Sequence, residues 1–233
     1  MQISLPHRRR HHGARNGFLT GLLEFWDLDE TSGDAISATG GTDLTDTNTV
    51  TYTAGGAPDG GNARQFTGAN NEMFSASGLL GSGTALTLAL WFKADSLSVG
   101  RFLIGHDAPN GATTLRNIAT TGLLYIRFDG LDSRIFNSSI GTGWRSCVVT
   151  STGPGGTDRI YVDGTEGGTG AGTAGWEPGT ATYYLGGNQL GQTGSRWDGA
   201  IASHGIWDRV FTAAEALTWH NSGINLRHAD LTT

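Results

Sequence analysis

The chain has one cysteine, one lysine and five prolines among 233 residues. The lone Cys147 excludes an internal disulfide, so packing and hydrogen bonding must hold the fold. No apolar run approaches the roughly 20 residues that a membrane-spanning helix needs. No Ser/His/Asp order occurs, and the glycine-rich stretches lack the strand–glycine–helix context of phosphate or dinucleotide sites. Phe18-Leu19-Thr20-Gly21-Leu22-Leu23 is too mixed for the apolar core of a secretion signal, which leads to an expectation of assembly in a cytoplasm. Positive charge is scarce and uneven. Arg8, Arg9, Arg10 and Arg15 take four of the 15 basic residues, leaving 11 against 21 acids, a net of −10. That acidic body argues against nucleic acid as a partner, since phosphate contacts need clustered Lys and Arg.

What the chain has is glycine, 38 residues of it, with abundant threonine between short apolar runs. Such text makes turns and strands rather than long helices. Strands are predicted near Leu22–Leu28, Val50–Thr53, Ala63–Thr67, Glu72–Ala76, Ala85–Lys93, Arg101–His106, Leu115–Ala119, Leu123–Phe128, Ser133–Asn137, Arg145–Thr150, Arg159–Val162, Thr182–Leu185 and Trp197–Trp207. Asp129-Gly130 and Asp163-Gly164 are pairs that supply positive φ in tight hairpins. Gly164–Gly175 reads as a Gly/Thr-rich loop. Thr212-Ala213-Ala214-Glu215 fits a capping box opening a short helix that ends by Gly223. Too short to stand alone, this helix should pack Leu217 or Trp219 on the sheets. The expected fold class is all-β: a two-sheet antiparallel β-sandwich with one short C-terminal helix and an extended N-terminal arm. Residues 1–20 form the arm, 21–224 the sandwich and 225–233 a short tail.

Alternation sorts the strands into faces. Leu86, Leu88, Leu90 and Phe92 oppose Thr87, Ala89, Trp91 and Lys93. Leu124, Ile126 and Phe128 oppose Leu123, Tyr125 and Arg127, and Ile160 and Val162 oppose Arg159 and Tyr161. One apolar face per strand fits the inside of a sandwich. The other faces collect aromatic and basic residues. A sugar offers a flat C–H face and a rim of hydroxyls, which an aromatic ring and an arginine can answer together. Trp91, Tyr125, Arg127, Trp176 and Trp197 are therefore the candidate carbohydrate-binding residues. Trp26, Trp144 and Trp207 are expected in the core, as is Cys147, which alternates with Val149. His204 alternates with Ala202 and Ile206 and should point inward as a hydrogen-bonded histidine.

Several stretches, in order, resemble the laminin-G-like, concanavalin A-like jelly-roll family. They are LLEFWDLDETSG from Leu22, NARQF from Asn62, LTLALWFK from Leu86, the Trp144–Gly164 strand and IYVDG hairpin, and LGG from Leu185 leading to WDGAIASHGIWDRVFTAAE. The resemblance covers roughly Gly21 to Gly223. It implies two packed antiparallel sheets and a protein that binds carbohydrate or other proteins, with calcium in some members. Where the family often has an acid after Gly-x-Ile near the last strand, Ala202-Ser203-His204 stands here, so a structural calcium would have to rest on Asp27, Asp208 and main-chain carbonyls. Glucanases of this fold carry acids at i, i+2 and i+4 of one strand. Asp27 and Asp29 share a face but are flanked by Phe25 and Thr31, so the paired-carboxylate arrangement is not supplied and no catalytic residue is assigned.

The arm carries Arg8, Arg9, Arg10 and Arg15 with His7, His11 and His12 and no acid. Fifteen extended residues reach ~50 Å, and arginine forks suit carboxylates on a neighbouring protein. Short single-domain proteins of this type resemble accessory proteins of tailed bacteriophages. The expectation is a non-catalytic virion decoration or fibre-type protein, assembled in the host cytoplasm and displayed on the virion surface. Its partners would be other virion proteins through the arm and cell-surface glycans through the sandwich. A homo-oligomer stays open, and neither a cofactor nor a transition metal is expected, because an unfixed arm is a poor cage for His7, His11 and His12. The alternatives are a stand-alone carbohydrate-binding adhesin and a polysaccharide-degrading enzyme.

Overall fold

The computed structural model describes residues 16–80, 85–107, 113–128, 132–135, 139–153, 156–171, 181–188 and 195–232. Among these, strands numbered in chain order form two antiparallel sheets. The first runs β13 (Thr165–Ala171), β12 (Thr157–Val162), β11 (Trp144–Ser151), β6 (Leu86–Ala94), β15 (Gly199–Trp207), β4 (Ala63–Phe66), β3 (Thr51–Thr53), with β1 (Leu22–Trp26) also on β15. The second runs β10 (Asp132–Ile135), β9 (Leu124–Phe128), β8 (Thr113–Asn117), β7 (Phe102–Asp107), β14 (Thr182–Leu185), β5 (Met73–Ser77), β2 (Thr45–Thr47).

β15 and β6 form the spine of the first sheet. One side of β15 lies along β6, while its other side pairs with β4 through Gly199–Ile201 and with β1 through His204–Trp207. The changeover falls at Ser203, a bulged residue with φ of 40° whose N–H reaches the Asp27 carbonyl at 3.2 Å. The bulge turns the strand so that His204 points inward.

The alternation expected from sequence decides which side chains fill the sandwich. Leu88, Leu90 and Phe92 of β6, Val149 of β11, Ile160 and Val162 of β12, and Leu115, Leu124 and Ile126 of the second sheet form one continuous core with Trp26 and Trp197. Burying a Leu, Ile or Phe side chain contributes about 1.5–3 kcal/mol, so this layer is the main source of stability.

A second cluster lies outside the first sheet. Ala89, Trp91, Val148, Tyr161, Ala202 and Trp207 are covered by Phe18, Phe211, Trp219, Leu226 and Leu231. These covering residues come from the turn at Asn16–Leu19, from α1 (Ala213–His220), from α2 (His228–Leu231) and from the segments between. Trp207 stands 4.6 Å from Phe211 and 5.8 Å from Trp219, and Phe25 is 6.1 Å from Trp219. The α1 capping box is present: Glu215 N–H donates to Thr212 Oγ1 at 3.2 Å, and Thr212 N–H donates to Glu215 Oε2 at 2.8 Å. Trp219 is the buried anchor of the helix, whereas Leu217 is 59% exposed.

The Gly/Thr stretch after Asp163-Gly164 departs from its reading as a loop. Asp163 and Gly164 both have positive φ, 51° and 74°, and turn the chain into β13, which pairs with β12 from Thr165 to Ala171. Glycine offers no side-chain signal for a strand, but its main chain still completes a ladder started by a good hairpin turn. The second hairpin pair, Asp129-Gly130, and residues 172–175 lie outside the described residues.

Candidate functional site

The expected ligand residues do not share one surface. Trp91 is 1% exposed, because α1 crosses its face and His220 stacks on it at 5.6 Å and 14°. Tyr161, from the same outer face, is also buried. Trp197 is 1% exposed and packs edge-on against Phe92 at 5.6 Å, inside the core. Its N–H donates to the Gly186 carbonyl at 2.8 Å, which holds the residue at the entrance of β15 with its ring turned inward. Burial therefore removes Trp91 and Trp197 from a ligand-facing set. Trp176 and the arm residues Arg8, Arg9, Arg10 and Arg15 lie outside the described residues.

Tyr125 and Arg127 are placed differently. They alternate on β9 with the core residues Leu124 and Ile126 and so face outward from the second sheet. The cross-strand register lines Tyr125 up with Arg116 of β8, and Arg116 with Phe102 of β7. The Arg116 guanidinium carbon lies 5.3 Å from the Tyr125 ring centre and 5.5 Å from that of Phe102. Arg116 is exposed, Tyr125 half-buried and Phe102 buried, so the row opens to solvent at Arg116 and Tyr125. The next row is Ser75, Tyr184, Gly105, Thr114, Arg127 and Ser133. Tyr184 in this row is only 2% exposed, while Arg127 is exposed. Gly105 lets the Gly187–Asn188 segment lie against the sheet beside Tyr184, because a Cβ there would come 2.6 Å from Asn188 Oδ1 and 2.7 Å from the Gly187 carbonyl. Arg116 and Phe102 were not singled out from sequence. The signal was present in the alternation of Leu115-Arg116-Asn117, where the inward leucine fixes the arginine on the outside.

Other titratable groups serve the fold. His204 is fully buried, its Nδ1–H donating to the Ala89 carbonyl at 2.9 Å and its Nε2 accepting from the Tyr183 hydroxyl at 2.6 Å. Burial pulls its pKa down to about 4, so it is neutral, and burial raises the Tyr183 hydroxyl. The Trp26 ring stacks on the imidazole at 5.4 Å and 17°. Burial likewise pushes the Cys147 thiol up, which leaves it an inert small hydrophobe. Glu24 is a buried carboxylate answered by Ser37 Oγ, Thr39 Oγ1 and Thr42 N–H at 2.8, 2.9 and 2.7 Å.

The acidic turn after β1 is organised by two arginines. The fully buried Arg64 donates to the carbonyls of Gly33, Val50 and Glu30 at 2.7, 2.9 and 3.3 Å, with Asp46 and Glu30 carboxylates at 3.7 and 3.9 Å. Arg227 grips Asp59 with two bonds at 2.6 and 3.0 Å and donates to the carbonyls of Asp27 and Asn62 at 2.6 and 3.1 Å. Asp59 is held below the ordinary carboxylate range: burial opposes this, and the Arg227 hydrogen bonds outweigh it. These guanidinium groups stand where a cation among carbonyls and carboxylates would stand. Asp27 follows one end of β1, and Asp208 bonds to Gly21 before the other end, so the five-residue strand keeps them ~15 Å apart. That donor set does not fit one calcium ion. Among the described residues no three His, Cys, Asp or Glu converge as a metal site.

An antiparallel two-sheet sandwich with one open outer face defines the class as a lectin-like jelly roll. Residues 66–216 match the model of the Laminin_G_3 family, the Concanavalin A-like lectin/glucanases superfamily, and the chain belongs to that family. No curated protein matches its sequence. Solved structures resemble it in fold at low identity. Domain 4 of AbnA, an extracellular GH43 arabinanase from Geobacillus stearothermophilus solved with arabinotriose, is 18% identical with a TM-score of 0.67, over 84% of this chain and 97% of that one. The SAP-like pentraxin of Limulus polyphemus is 17% identical with a TM-score of 0.55, over 69% and 82%. The binding domain of Paraclostridial Mosquitocidal Protein 1 is 13% identical with a TM-score of 0.66, over 87% of this chain and 52% of that one.

Proposed function

We propose that this chain is a non-catalytic glycan-binding module, presented on a larger assembly by its basic N-terminal arm. The observation that carries the first part is the outward row of Phe102, Arg116 and Tyr125, an aromatic–guanidinium platform on the open face of a lectin-like sandwich. An aromatic ring at half exposure can stack on the C–H face of a sugar, and the exposed Arg116 and Arg127 are of the type that binds hydroxyl groups. The resemblance in fold to an arabinanase domain solved with arabinotriose supports the same reading. No carboxylate pair stands in either outward row, which speaks for binding rather than hydrolysis.

Support for the arm comes from where the body begins. Trp207 Nε1–H donates to the Phe18 carbonyl at 2.6 Å, and Arg209 donates to the carbonyls of Gly17 and Thr20, both at 2.7 Å. A basic arm would thus leave the body from a clamped point. A virion decoration or fibre-type setting suits such a tether, and the adhesin and enzyme readings are its competitors.

Glycan-array screening of the whole chain is expected to find ligands, and Tyr125→Ala to lose them with an unchanged melting temperature. A flat array, or full binding by Tyr125→Ala, would overturn the glycan reading. Removing Met1–Arg15 is expected to abolish incorporation into the particle and leave the body folded; normal incorporation would refute the tether. Turnover of any bound polysaccharide would move the protein to the enzyme class.

A further inference from the structure

Most described arginines of the body serve the fold. Arg64, Arg101, Arg145, Arg196, Arg209 and Arg227 spend their N–H donors on main-chain carbonyls. Arg159 spends its donors on Glu166. These side chains are internal fasteners. Arg116 is different: it is exposed, it lies against two aromatic rings, and it forms no hydrogen bond or ion pair with the described residues. The guanidinium lies over both rings, and its N–H groups make no hydrogen bond among the described residues. An arginine kept in place by stacking rather than by an acid is a fork waiting for an acid.

The surroundings have the same sign. Arg127 is exposed one step along β9 from Tyr125, ~7 Å away on the same face. The row of Phe102, Arg116 and Tyr125 contains no acid, and neither does the row of Ser75, Tyr184, Gly105, Thr114, Arg127 and Ser133. Both arginines stand on a body whose net charge is −10 beyond the arm. A polyanion as dense as nucleic acid would be repelled by that body. A saccharide with a single planar carboxylate per residue would not, and its ring would meet Tyr125 while its carboxylate met the Arg116 fork.

We infer that the open face of the second sheet selects carboxylated sugars, a uronate or a sialate, through Arg116. The inference rests on the glycan reading above and narrows it to one chemical class. Arg116 supplies two parallel N–H donors to the carboxylate, and Phe102 and Tyr125 hold it in place beside the sugar ring.

Isothermal titration calorimetry tests this with four probes: an oligogalacturonide, its methyl ester, sialyllactose and lactose. At least one acidic probe should bind about ten-fold or more tightly than its neutral counterpart, the range expected of charge-assisted hydrogen bonds. Preference for the oligogalacturonide assigns a uronate and preference for sialyllactose a sialate. Arg116→Gln should remove the preference and Arg116→Lys retain part of it, because the charge remains and the fork does not. Arg159→Gln, a control on the first sheet, should bind as the native chain does. Equal binding of acidic and neutral probes, with Arg116→Gln unchanged, would overturn the inference and leave the glycan reading standing. If none of the probes binds the folded chain, the inference is overturned, and a flat glycan array would take the glycan reading with it.

Discussion

The two outer faces of this sandwich grow from the same strand pattern and end as opposites. On the first sheet the neighbours of Trp91 across the ladder are Ala202 and Ser146. Small residues beside a large ring leave a shelf, and the C-terminal segment fills it with Phe211, Trp219 of α1 and Leu226. On the second sheet the register puts Arg116 beside Tyr125. A guanidinium cannot be roofed by apolar helices without losing its solvation, so this face stays open. What separates a third layer from a binding face is therefore the size and polarity of the cross-strand neighbours. An outward aromatic ring by itself is compatible with either.

The sharpest way to break this contrast is to remove the roof. Trp219 is fully buried among Phe18, Phe25 and Trp207. Trp219→Ala should cost about 3–5 kcal/mol in urea or guanidinium unfolding, the range for large aromatic truncations in a core. The open face should be unaffected until the domain itself unfolds. A loss under ~1 kcal/mol would mean that the helices are a loose appendage, and the two faces would then be less different than their packing implies.

Acid should act on the core between the two faces. The folded pKa of His204 is about 4, below the ordinary 6.5 for histidine. Between those values the unfolded chain holds a proton that the folded chain refuses, so stability falls as pH drops from 6.5 towards 4 and the contribution levels off below. The full difference is about 3 kcal/mol at 1.36 kcal/mol per unit. Asp27 and Glu30 work the other way. Burial raises both, so the folded chain takes up their protons first and gains stability as pH falls through that lower window. Comparing chemical denaturation at pH 7 and pH 5 for the native chain and His204→Gln isolates the histidine. The native chain should lose stability and the variant much less. Equal losses would show that this imidazole is not the acid-sensitive element.

Most of the fold could be read from the sequence, because period-two alternation is a local signal. Leu88, Leu90 and Phe92 inward against Ala89 and Trp91 outward required only the strand itself. The Thr212–Glu215 capping box and the Asp163-Gly164 turn were legible for the same reason. β13 was not, since Thr165–Ala171 has few side chains to alternate and its pairing is a main-chain matter. The binding face was half legible. Tyr125 and Arg127 were visible as outward residues, but the sheet to which each strand belongs is set by long-range pairing, and pairing decided that Trp91 and Tyr125 lie on opposite sides of the molecule. Arg116 was missed although Leu115 beside it fixed its direction. Trp197 was misplaced because a residue at a strand entrance takes its orientation from the loop before it, here the bond to Gly186.

The smallest expected effect is the most discriminating. Arg116→Gln should change unfolding free energy by less than about 0.5–1 kcal/mol, since exposed cation–π contacts are worth no more than that. Among the described residues Arg116 satisfies no carbonyl, unlike Arg64 or Arg227. Replacing either of those leaves several buried oxygens without a partner and should cost several kcal/mol. If Arg116→Gln proved as damaging as Arg64→Gln, Arg116 would be another fastener and the second face merely a wet surface. A near-neutral Arg116→Gln beside a severe Arg64→Gln would instead mark an arginine that the fold does not need, which is what a residue kept for a ligand looks like.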